Sequence, residues 1–261
     1  MITSVRNPAV VLARSLHRSS VRHRQGLTLL EGPRLIREGA KAGVLQTILL
    51  ATDAGSAVEA TARAADVEVL RCAPHVIGAA ADSKTPQGIL AISRVPQIVE
   101  REGPRLVLVI DGVQDPGNVG SLVRTATAAG ATLVVYTTDS ADPFGPKALR
   151  AGAGAHFHVP IQSATVIDKI GLSDTETSLY ASAADGEYVY NTIDWSGPCG
   201  LVVGAETQGV SASWHACCQG TVRVPIHQGI ESLNVAAASA VILFEVARQR
   251  ATAPRDGSQD A

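Results

Sequence analysis

Along the chain, short β-branched runs alternate with longer stretches in which apolar residues recur at helical spacing. Residues 3–25 place Val10, Val11, Leu12 and Leu16 on one side and arginines on the other, which predicts a helix ended by Gly26. Strands are predicted at 27–30, 45–51, 67–70 and 89–93. Helices are predicted at 34–42, 57–65 and 74–81, the first opened by Pro33. This makes residues 1–95 a small α/β domain. Residues 96–104, with proline and charge at both ends, read as a linker. The pattern then strengthens. Strands are predicted at 106–110, 133–136, 156–161, 178–183, 201–204 and 221–224, with helices through 129, from 146 to 151 and from 166 to 171. A last helix is capped by Ser232 or a neighbour and is apolar for almost four turns. The expectation for 105–250 is a mostly parallel sheet with helices on both faces. Residues 251–261, polar with Pro and Gly, are expected to form a frayed tail.

Composition changes this picture little. Aromatics are scarce, and Ala, Val and Gly are plentiful, as in a close-packed α/β core. No apolar run is long enough to span a bilayer, and no signal-peptide pattern opens the chain, so a cytoplasmic protein is expected. Four cysteines without a C-x-x-C pair argue against a zinc site or a disulfide framework, and no metal is expected. Charge changes more. Residues 1–41 hold eight Lys or Arg against two Glu, a local +6, which leaves −8 for the rest of a chain of net charge −2. A basic arm of this kind, including Arg6, Arg18, Arg22 and Arg34, suits a phosphate backbone; a solvated helix face explains it equally well.

Candidate chemistry concentrates in three loops at predicted strand ends, where parallel sheets bind ligands. In the first, Asp111–Gly120, Asn118 is placed as a helix cap. Arg124 lies in the second turn, where the helix dipole disfavours a cation unless it holds an anion. In the second, Gly204–Ser211, Glu206 is positioned to accept backbone N–H bonds; a general-base role is the alternative. The third runs from Pro225 to Ser232. His156 and His158 fall on one side of a predicted strand and read as rim or packing residues, and His227 lies near the third loop. A Gly-x-Gly-x-x-Gly fingerprint after the strand at 106–110 and a phosphate-binding P-loop are both absent.

Taken together, Asn118-x-Gly120-x-x-x-Arg124, Gly204-x-Glu206-x-x-Gly209 and Pro225 followed by Ser232-Leu-Asn-Val235 resemble the three motifs of the SpoU (TrmH-like) branch of the SPOUT methyltransferases. Glu31-Gly32 and Thr85-Pro-Gln-Gly88 resemble stretches of the substrate-binding domain fused to many members. The resemblance implies S-adenosylmethionine-dependent 2′-O-methylation of a ribose in structured RNA, with ribosomal RNA preferred. Transfer RNA and a non-catalytic RNA-binding dimer are the alternatives. It further implies a homodimer joined through the C-terminal domain and a C-terminal trefoil knot around the cofactor. Arg124 takes the catalytic role, with Asn118, Ser232 and Asn234 orienting it and the hydroxyl. Val203, Gly204, Gly209, Ile226 and Leu233 cup the cofactor.

Overall fold

The computed structural model describes residues 1–100, 105–164, 176–227 and 232–252. The expected helix at 166–171, part of the linker, part of the third loop and most of the tail lie outside them.

The chain forms two compact units. The first comprises residues 1–98, 116–124 and 141–158. Its elements begin with α1 (Pro8–Ser15), α2 (Ser19–Gln25), β1 (Leu27–Glu31), α3 (Pro33–Lys41) and β2 (Leu45–Ala51). They continue with α4 (Ser56–Arg63), β3 (Glu68–Cys72), α5 (Pro74–Ala80) and β4 (Ile89–Arg94). The sheet runs β1-β4-β2-β3, antiparallel except for the β2–β3 pair. The single helix expected over 3–25 is two. Asn7 caps α1 through Ala9 N–H at 3.0 Å, and the chain turns after Leu16, whose side chain is wholly buried. Gly26, at φ +63°, ends α2 in the left-handed conformation that favours glycine. Val10, Leu16, Leu29, Leu49, Ile77 and Leu90 share one core. Burial of each such side chain stabilises by about 1.5–3 kcal/mol.

The second unit comprises residues 99–115, 125–140 and 159–261. The elements of this half of the chain are β5 (Leu106–Asp111), α6 (Pro116–Ala128), β6 (Leu133–Tyr136), α7 (Pro146–Gly152), β7 (Ile161–Ser163) and β8 (Ser178–Ser182). They end with β9 (Tyr188–Val189), β10 (Cys199–Gly204), α8 (Ala212–His215), β11 (Gly220–Arg223) and α9 (Val235–Thr252). The first nine residues of α6 and all of α7 belong to the first unit. The seven-stranded sheet has order β7-β6-β5-β10-β8-β11-β9, and every pairing is parallel. This is the doubly wound α/β pattern read from the β-branched runs. Val107, Val109, Leu133, Val135, Leu179, Val202 and Trp214 form its core. The strand expected at 156–161 is instead a 3₁₀ turn at Ala155–Phe157 followed by β7. Gly154 before that turn is left-handed at φ +100°, which breaks the extended run. Among the described residues, no helix is long and apolar enough to cross a membrane.

Candidate active site

The sheet reverses its winding between β5 and β10. β6 follows β5 on one side, and β10 pairs with β5 on the other, with Gly204 opposite Asp111. Ligands of open parallel sheets bind beyond the carboxyl ends at such a point. The loop after β10 folds back sharply: Gly209 N–H donates to the Ala205 carbonyl at 2.8 Å. Gly209 stands at φ +66°. A Cβ on Gly204 would lie 2.0 Å from the Gly209 carbonyl carbon, so only glycine admits this pinch. Asp111, buried at the end of β5, anchors the loop by accepting the Ser211 N–H at 2.6 Å. That anchoring was expected of Glu206. Glu206 is exposed, two residues past the strand end, and the Ser211 N–H is held by the carboxylate on the neighbouring strand.

Beyond the pinch lies a cleft of about 180 Å³. The ends of β8, β10 and β11 and the start of α9 line it. All five residues expected to cup a cofactor, Val203, Gly204, Gly209, Ile226 and Leu233, meet here, together with Ser232 and Glu206. The walls are aliphatic or backbone, and small residues, including Ala183 and Ala238, keep them open. Among the described residues, Glu206 is the one ionisable side chain on the lining. Apolar walls suit an adenine face, bare glycine backbone suits hydrogen bonding at close range, and a carboxylate suits a cationic tail. This donor set fits a sulfonium nucleoside. A second, more polar hollow of about 270 Å³ shares Ala205 and Glu206 with the cleft and adds Gln114, Asp115, Asp139 and Gln208.

Asn234, rather than Ser232, caps α9. Its Oδ1 accepts from Ala236 N–H at 3.0 Å and from Ala237 N–H at 3.3 Å. The helix buries Ser239, Ile242, Leu243 and Val246 and leaves Val241 and Phe244 exposed.

Asn118 and Arg124 stand on the part of α6 that belongs to the first unit. The helix begins at Pro116, so Asn118 sits inside the first turn and is not its cap. Arg124 is exposed one turn later than expected, in the third. Gly120 between them has a packing reason: a Cβ there would lie 2.1 Å from the Ala148 carbonyl of α7. Of the four arginines assigned to RNA, Arg6, Arg18 and Arg34 are exposed. Arg22 is not. Its guanidinium is buried, donating to Asp142 Oδ2 at 2.8 and 2.6 Å and to the Leu16 and His17 carbonyls at 2.7 and 3.0 Å. Nothing in its sequence context distinguishes it from Arg18; its partner is 120 residues away.

The paired histidines divide. His158 is exposed and 3.3 Å from Glu38. His156 is wholly buried against Phe144, with both ring nitrogens unpartnered; the Pro143 carbonyl faces the ring without an aligned hydrogen bond. Burial pushes its pKa down to about 4. Among the described residues, no group of three or more His, Cys, Asp or Glu is placed to hold a metal ion.

A parallel α/β sheet with a glycine-pinched, weakly charged cleft at its switch point defines an enzyme fold suited to a nucleoside cofactor. Comparison supplies the family. The profile described as the SpoU rRNA Methylase family matches residues 105–244, and the profile of the MRM3-like substrate binding domain matches residues 7–91. The chain belongs to the SpoU rRNA methylase family. It is 32% identical over 251 residues to the 23S rRNA (guanosine(2553)-2′-O)-methyltransferase RlmP of Bacillus subtilis (strain 168), covering 94% of this chain and 98% of that protein. It is 29% identical to the mouse mitochondrial rRNA methyltransferase 3, over 92% of this chain and 71% of that one. Among solved structures, the SpoU methyltransferase AviRb from Streptomyces viridochromogenes in complex with AdoMet superposes with a TM-score of 0.84. The two share 26% identity over 95% of this chain and 99% of that one.

Proposed function

We infer that this protein methylates the 2′-oxygen of a ribose in ribosomal RNA, using S-adenosylmethionine. The observation that carries the reading is the cleft that gathers Val203, Gly204, Gly209, Ile226, Ser232 and Leu233 from separate loops at one switch point. When bound, the cofactor supplies an electrophilic methyl group on a sulfonium. The protein's own task is positioning: an oxygen nucleophile must be held in line, and orientation supplies much of the acceleration. A guanidinium is a poor general base, so Arg124 serves as an anchor for the substrate phosphate and a polariser of the ribose hydroxyl. Asn118, Ser232 and Asn234 orient the hydroxyl and the guanidinium. Glu206 balances the cofactor's positive charge, and exposed Arg6, Arg18 and Arg34 hold the RNA backbone.

The same reading includes a trefoil knot of the C-terminal segments around the cleft. It includes a homodimer in which Val241 and Phe244 of α9 are covered by a second copy, and residence in the cytoplasm. The domains it uses are 1–95 for substrate and 105–250 for catalysis. Transfer of labelled methyl from S-adenosylmethionine to ribosomal RNA tests the core of it. Arg124→Ala should lower the rate at least about 10²-fold, the usual cost of losing one positioned transition-state donor. Calorimetric affinity for the cofactor should stay within twofold. Undiminished transfer would overturn the assignment.

A further inference from the structure

One cavity of the first unit has no part in the cleft chemistry. It measures about 270 Å³ and opens at the N-terminal end of α3. It joins the two short stretches singled out in the sequence, Glu31-Gly32 and Thr85–Gly88, to Arg34 and Leu35 of α3 and to Arg150 of α7.

Its floor is built and internally satisfied. The Glu31 side chain is 5% exposed. It accepts the Asp82 and Ser83 N–H groups at 3.1 and 3.2 Å and the Ser83 hydroxyl, and Arg150 Nη1 stands 3.3 Å away. The other arm of Arg150 pairs with Asp82 at 2.6 Å. The acids of the floor are therefore engaged, and the loop carrying Thr85 and Gln87 is tethered to β1. The rim is the opposite. The side chains of Arg34, Thr85 and Gln87 make no hydrogen bond or ion pair among the described residues. Arg34 sits in the first turn of α3, where the helix dipole disfavours a cation unless an anion is present. Gly32, at φ +91°, lets the Gln87 amide lie over the backbone; a Cβ there would be 3.2 Å from Gln87 Oε1.

We propose that this cavity holds one unstacked nucleotide of the RNA substrate, with Gln87 and Thr85 reading the base edge and Arg34 holding the phosphate. A primary amide offers a donor and an acceptor side by side, the pairing that reads a base edge. Leu35 supplies an apolar wall for the base face. Free α3 N–H groups reinforce Arg34 at the phosphate. Proteins read RNA sequence mainly from unpaired bases splayed out of the helix, which need a preformed hollow with a rigid floor. The proposal rests on the methyltransferase reading only for the identity of the polymer.

The test uses the full chain with S-adenosylhomocysteine saturating the cofactor cleft. Amide NMR spectra are followed while each of the four nucleoside 5′-monophosphates, or ribose 5-phosphate, is added. The expected result is movement of the Gln87 side-chain amide and the Thr85 and Gly32 signals with nucleotides, strongest for one base, and not with ribose 5-phosphate. Arg34→Ala should weaken every nucleotide about tenfold. Gln87→Glu, which keeps size and loses the amide donor, should abolish the base preference. Equal shifts with ribose 5-phosphate would reduce the cavity to a phosphate site, and no shift would remove it; either overturns the proposal. In the transfer assay, Gln87→Ala should raise KM for ribosomal RNA about tenfold with kcat within twofold. A wild-type chain that fails to methylate RNA but keeps the nucleotide shifts would sink the activity, not the cavity.

Discussion

Two hollows of this protein are made in opposite ways. The cleft after β8, β10 and β11 is shaped by deletion: side chains are missing at Gly204 and Gly209 and reduced to methyl groups at Ala183 and Ala238. The cavity beside α3 is shaped by tethering, through charged side chains whose partners lie 52 and 119 residues apart in sequence. A space made by deletion is closed by adding atoms. A space made by tethering is opened by removing a charge. Substitutions in the two regions should therefore fail in different ways, one in ligand binding and the other in stability or substrate affinity.

The largest effect is expected at the pinch. Gly204→Val drives a side chain into the Gly209–Val210 backbone, with its first carbon already 2.0 Å from the Gly209 carbonyl carbon. Overpacking of this kind has no flexible neighbour to displace. Calorimetry should show S-adenosylmethionine affinity reduced more than tenfold, with the N-terminal unit's spectra unchanged. Wild-type affinity would mean that the loop is not the cofactor wall.

Breaking a tether should cost stability instead. Arg22→Ala leaves Asp142 buried without its cation, and half-broken buried pairs cost about 3–5 kcal/mol. Chemical denaturation measures this. A loss below ~1 kcal/mol would return Arg22 to the surface role its neighbours have. His156 tests the same unit without an ion pair. Its ring is buried with a pKa near about 4 against an ordinary 6.5. In the unfolded chain it takes up a proton as pH falls through 6.5; in the folded protein it stays neutral until about pH 4. Folding should therefore lose up to about 3 kcal/mol between these values through this group, with no further loss below them. The wild-type stability–pH curve minus that of His156→Leu isolates the effect. A difference independent of pH would show the ring to be accessible to protons in the native state.

The same contrast explains what was legible in the sequence. Segments of one periodicity were read closely: 45–51 and 133–136 match β2 and β6 residue for residue. The residues that line the cleft were named through the motif resemblance, and deletion leaves a local mark that such motifs carry, glycines and alanines in loops after β-branched runs. Tethers leave none. Arg22 carries the same letter and neighbourhood as the exposed arginines, and Asp142 lies between the predicted strand at 133–136 and the predicted helix from 146. The break between α1 and α2 was hidden for the same reason, since the carbonyls it frees are taken by Arg22. That Asp111 holds the Ser211 N–H was not legible, because register between β5 and β10 decides which carboxylate faces Ser211, and register is invisible to periodicity.

The smallest effect separates two roles carried by one residue. Asn234 caps α9 and also belongs to the motif that the methyltransferase reading makes catalytic. Asn234→Ala removes the cap and the amide together, with about 1 kcal/mol of stability lost and transfer reduced, so it cannot apportion the two. Asn234→Asp can. Aspartate caps as well as asparagine and suits the helix N-terminus, so the melting temperature should be held or slightly raised. Its carboxylate has no N–H to donate and adds negative charge beside an RNA substrate. If Asn234 orients the hydroxyl or Arg124 through its amide, kcat should fall while stability does not. If transfer survives in the Asp variant and falls in the Ala variant only as far as stability does, then Asn234 serves the helix alone, and the third motif contributes its chemistry through Ser232.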